Sequence, residues 1–125
     1  MSRSARYTAV FGDGRHDFLL NIGALEELQE KCDAGPEEIW SRVLSGSWRV
    51  ADIREPIRLG LIGAGMEPIK ALVLVERYAK EGHLSSLKPL VASIIGAALV
   101  GTPDEDAPPP GKPKGRSKTP SPAES

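Results

Sequence analysis

A chain of 125 residues with a formal net charge of -1 and a pI near 6.1 points to one domain, without the basic excess that draws proteins to nucleic acid or anionic membrane. Its only cysteine, Cys32, has no partner for an internal disulfide, and the N-terminal MSRSARYTAVFGDG lacks the apolar run of a secretory signal. A reducing, cytoplasmic setting is the expectation.

Residues 1–5 read as a flexible N-terminus and 6–101 as the folded domain. The first element is a β-hairpin. Asp13-Gly14 suits a type I′ turn, whose two central residues both need positive φ. That turn sets Phe11 opposite His16, Ala9 opposite Phe18 and Tyr7 opposite Leu20. One apolar face results, with a single imidazole on it. Two strands alone are marginal, so this face must pack on helices.

Four to five short helices follow. The first spans about Gly23 to Asp33, with Ile22, Leu25, Leu28 and Cys32 on its inner stripe and Glu26, Glu27, Glu30 and Lys31 outside. Gly35-Pro36 breaks the chain. Pro36 then opens a second helix that Gly46 stops, with Ile39, Trp40, Val43 and Leu44 inward. A third helix starts near Asp52, a capping residue, or, because Pro56 lacks the N–H that the first intrahelical bonds need, starts at Glu55 or carries a distorted first turn. The fourth runs from about Pro68 to Lys80, with Ile69, Leu72, Val73 and Val75 inside and Gly82 as its stop. In the fifth, Leu87, Leu90, Val91, Ile94, Ile95 and Ala98 keep helical spacing, and the opposite face is small but uncharged. From Pro89 to Gly101 it is too short to span a membrane, which needs about 20 residues. Residues 102–125 hold seven prolines, an acidic run Asp104-Glu105-Asp106 and then four cations. Such a segment is expected to be disordered. The fold class is therefore α+β, mostly α.

Nothing in the chain gathers the residues that catalysis needs. His16 and His83 lie in different elements, and no CxxC, HExxH or phosphate-loop pattern occurs. Neither a cofactor nor a metal is expected. The glycines of GLIGAG, Gly60 to Gly65, follow a helical segment rather than a strand, so a close helix crossing and a C-cap explain them better than a dinucleotide. Arg49, Arg54 and Arg58 near helices two and three permit a helix-turn-helix regulator as a third reading, although the link from Gly46 to Ala51 exceeds a tight turn.

The order FGDGRHDFLL, IGALEELQEKCDAGPEEIWSRVLSG and WRVADIREPIRLGLIGAG resembles the small tail-assembly chaperones of gene transfer agents and related prophages. The resemblance covers about Val10 to Gly101, and its markers, such as Gly14, Phe18, Leu28, Asp52, Gly60 and Gly65, are structural residues. It implies a non-enzymatic protein that holds a helical tape-measure protein soluble and brings tail-tube protein to it. A structural component of the tail is the alternative. The candidate partner surface is the apolar helix from Ser86 to Val100, through Leu90, Ile94, Ile95 and Leu99, with Trp40 and Trp48 nearby. A wholly internal helix fits the same pattern. The hairpin edge is a second candidate, for a second copy of the chain or a strand of a tail protein, unless the N-terminal arm or a loop covers it.

Overall fold

The computed structural model describes residues 3–103. The element order is β1 (Arg3–Ser4), β2 (Arg6–Phe11), β3 (Gly14–Leu19), α1 (Ile22–Cys32), α2 (Pro36–Ser45), α3 (Val50–Gly63), α4 (Pro68–Glu81), a 3-10 turn (Leu84–Leu87), α5 (Lys88–Val100) and β4 (Thr102–Pro103). The expected class, a hairpin followed by helices, is the class observed. The expectation of a disordered tail falls, from Asp104 onward, outside the described residues. Thr102 and Pro103 instead pair antiparallel with Ser4 and Arg3, so the ordered chain extends past both 6 and 101. The pairing ties the two ends of the fold together.

The hairpin register differs from the sequence expectation by two residues. Phe11 pairs with Gly14, Ala9 with His16 and Tyr7 with Phe18. The loop is Gly12-Asp13: Gly12 has φ +61° whereas Asp13 has no positive φ, as a type II′ turn requires. The reason is tertiary. A Cβ on Gly12 would lie 2.5 Å from the ring of Tyr78 in α4, so the glycine must occupy the spot where that ring closes on the turn. A shift of two preserves the faces. Phe11, Phe18 and Leu20 therefore still point into the core. Phe11 stacks edge-on against Phe18 at 6.4 Å and Tyr78 at 5.8 Å.

Behind the hairpin, α3 is the central helix, touching β3, α1, α4 and α5. Gly60 lets it approach Phe18, and Gly63 brings its last turn against the carbonyl of Leu19; an added Cβ there would meet that oxygen at 1.9 Å. The GLIGAG glycines thus serve packing. The helix starts at Val50, earlier than either expected start, and Pro56 lies inside it. Tertiary contacts fix this first turn. Asp52 is fully buried, and its carboxylate accepts the Arg49 backbone N–H at 2.8 Å and faces the Arg42 guanidinium of α2 at 3.3 Å. These contacts offset the hydrogen bond that Pro56 cannot donate.

α1 is capped by the side chain of Asn21, which accepts from the Ala24 N–H at 2.9 Å. Leu28 and Cys32 of its expected stripe are buried, but Ile22, its first residue, faces solvent. α2 runs from Pro36 to a left-handed Gly46, as expected, with Ile39 and Val43 buried and Leu44 outside. On α4 the expected face is largely wrong. Ala71 and Val75 are buried, whereas Ile69, Leu72 and Val73 are exposed at 68%, 42% and 59%. The run Ala71 to Val75 is apolar throughout, so periodicity alone could not choose a face. The small Ala71 and Val75 take the close contact with α3.

Candidate interaction surface

Of the residues predicted to bind a partner, Trp40 meets α5 in an internal seam between α2 and α5, and Trp48 packs on the core from the link after α2. Ile94 and Ile95 are 1% and 0% exposed and present no surface. Leu90, Leu99, Trp40 and Trp48 are half-buried against the same core. The Trp40 indole N–H donates to the Ala92 carbonyl at 3.1 Å, and Gly96, one turn on, leaves room for the ring; a Cβ there would stand 3.2 Å from the indole. A helix apolar on every side is buried because no orientation leaves a polar face for water. The exposed rim of Trp40, with Leu44, lines an open hollow of about 510 Å³ on α2.

Exposed apolar surface concentrates on α4 instead. Ile69, Leu72 and Val73 follow i, i+3, i+4 spacing, so they share one outward stripe. Sequence reading gave these residues the right character and the wrong direction. Beside the stripe, Val73 continues into a hollow of about 220 Å³ under the hairpin turn, with Met66 and Leu74 as its apolar lining. A larger hollow of about 530 Å³ adjoins it along β3, shared through His16, Met66 and Lys70. The two form one groove between β3 and α4.

The charged groups around this groove are unevenly satisfied. Asp17 accepts from the Thr8 hydroxyl at 2.6 Å and from Arg6 at 2.9 Å, and these contacts hold its carboxyl below the ordinary value. Asp13 is lowered in the same way, first by its hydrogen bond with His16 at 2.8 Å. Among the described residues, the side chains of Arg15 and Lys70 make neither a hydrogen bond nor an ion pair, although the charge of Arg15 helps to lower Asp17. Arg77 reaches Glu81 only at 3.7 Å. The two arginines of α3 are committed. Arg54 pairs with Glu76, and Arg58 with Glu55 at 2.6 Å and Glu27 at 3.3 Å.

Cys32 is buried beside Asp52. Burial first, and then the neighbouring carboxylate, pushes its thiol up to about 12. It is a packing residue. Among the described residues no three of His, Cys, Asp and Glu gather as a metal-binding group, and no helix is long and apolar enough to cross a membrane.

The family described as phage tail tube protein, GTA-gp10, has a model that matches residues 4–101, almost the whole of the described fold. No curated protein and no solved structure matches the chain. The match agrees with the phage-tail resemblance, while its description names a tail protein rather than a chaperone. The chain belongs to this gene-transfer-agent phage tail family.

Proposed function

We propose that the protein is a structural component of a phage-like tail, working by protein–protein contact and without catalysis. The observation that carries this reading is the family match over residues 4–101, whose description is of a tail protein. The arrangement of the fold is in keeping with it. Its arginines on α3 are held in ion pairs with neighbouring helices, while apolar side chains on α4 face outward, as in a protein that is covered by neighbours. Deleting the gene in a producing host should abolish tails or leave them defective, and the intact gene supplied in trans should restore them. Normal tails in the deletion strain would refute a structural role.

A second reading, an assembly chaperone for the tape-measure and tail-tube proteins, draws on one specific observation. The exposed Ile69, Leu72 and Val73 stripe is suited to holding apolar helical segments before they are buried elsewhere. Co-expression with the cognate tape-measure protein tests it: a chaperone raises that protein's soluble yield, and Ile69→Lys with Val73→Lys removes the effect. The helix-turn-helix reading gains nothing from the geometry, because Arg54 and Arg58 are tied to carboxylates.

A further inference from the structure

The groove between β3 and α4 has a strand edge for one wall. Phe11 and Gly14 close the two-residue loop as a hydrogen-bonded pair, so alternation along an antiparallel ladder sets the backbone groups of β3 at Arg15, Asp17 and Leu19 outward. On the opposite strand the same alternation is visible directly, since the outward N–H of Arg6 bonds to Ser4 Oγ at 3.0 Å. The chain's own ends thus cover β2 at Arg6, and Gly63 covers β3 at Leu19. At Arg15 and Asp17 the outward backbone groups have no partner among the described residues and open into the 530 Å³ hollow. Such an edge normally requires cover.

The rest of the groove is built to supply more than backbone bonds. Met66, Val73 and Leu74 give it an apolar floor, and the Arg15 and Lys70 side chains stand beside it without an ion pair, while Arg77 reaches Glu81 at 3.7 Å and lies over the Tyr78 ring. Three carboxylates share the groove: Asp17 is paired with Arg6, Asp13 is hydrogen-bonded to His16, and Glu67 has no ion pair. We propose that this groove receives an extended segment of another protein, which adds as a third strand to the edge of β3 and carries carboxylates among its apolar side chains. An open edge beside a helix wall is the geometry of strand addition. Main-chain bonds hold the segment, and alternate side chains reach the floor. Arg15 and Lys70, the lining cations without an ion pair, select the charge. The chain's own residues 104–125 offer acid at Asp104 to Asp106 but, beyond prolines, only Ala107 and Ala123 to fill an apolar floor. The inference rests on the protein working by contact in a tail.

The test uses the full chain and a random dodecapeptide library. The selected sequences should alternate apolar residues and include Asp or Glu. A synthetic peptide of that consensus should slow hydrogen exchange at the Arg15 and Asp17 amides. Lys70→Glu and, separately, Arg15→Glu should each weaken binding roughly tenfold while leaving the circular dichroism unchanged. Methylating alternate peptide nitrogens should abolish it. The proposal is overturned if no sequence is enriched, or if the consensus has helical spacing and maps to Ile69 and Leu72. It is equally overturned if the Arg15 and Asp17 amides are already protected in the dilute chain, because the chain then fills its own groove, or if they become protected only as the chain dimerises. Any of these results would leave the tail role standing, since that is judged on tails.

Discussion

Gly12 shows how one residue can hold a register. It has both a positive φ and the Tyr78 ring against it, so Gly12→Ala should cost roughly 3 kcal/mol in chemical denaturation, from backbone strain and overpacking together. Gly14→Ala, with open space around it, should stay within about 0.5 kcal/mol. Cys32 gives a chemical check on burial. With its thiol pushed up to about 12, it should resist iodoacetamide at pH 8 in the folded chain and react promptly in urea. Asp17 gives a titration. Its folded pKa is lowered, so the stability from Thr8 and Arg6 is present above the unfolded carboxyl value and is lost as pH falls through the folded one. Asp17→Asn should therefore lower stability at neutral pH and flatten its decline in acid.

At the scale of elements, the faces of α1 and α2 were legible, apart from their outermost apolar residues, because polar residues separate their apolar positions. That was not so for α4, where six of seven residues from Ile69 to Val75 are apolar and only the contact with α3 selects Ala71 and Val75. The assignment has a direct consequence. Val75→Ala should cost about 2 kcal/mol through an internal cavity, whereas Ile69→Ala should cost under about 0.5 kcal/mol, as measured by urea unfolding. The hairpin was legible as an element and as a pair of faces. Its turn was not, since Gly12-Asp13-Gly14 contains two dipeptides that hairpins accept, and a side chain far along the chain decides between them. The start of α3 was hidden for a similar reason. What holds Val50 to Glu55 helical ahead of Pro56 is a buried carboxylate answered by Arg42 of another helix.

For the whole molecule, the sequence announced a small binding protein and the family match places the chain in a phage tail family; of the residues expected at a partner surface, Ile94 and Ile95 are buried. The apolarity of α5 is that of a core helix, sealed by Trp40, and the outward apolar surface belongs to α4 and the groove beside β3. Sequence patterning marks which residues are apolar; which of them remain uncovered depends on how five helices share one core. Whether the chain is part of the finished tail, as proposed, is decided by quantitative mass spectrometry of purified particles alongside the cells that produce them. Tailed particles should contain the protein at a fixed, integral ratio to the other tail proteins. Abundance in the producing cells with none in the particles would contradict a structural role, and would identify an assembly factor instead.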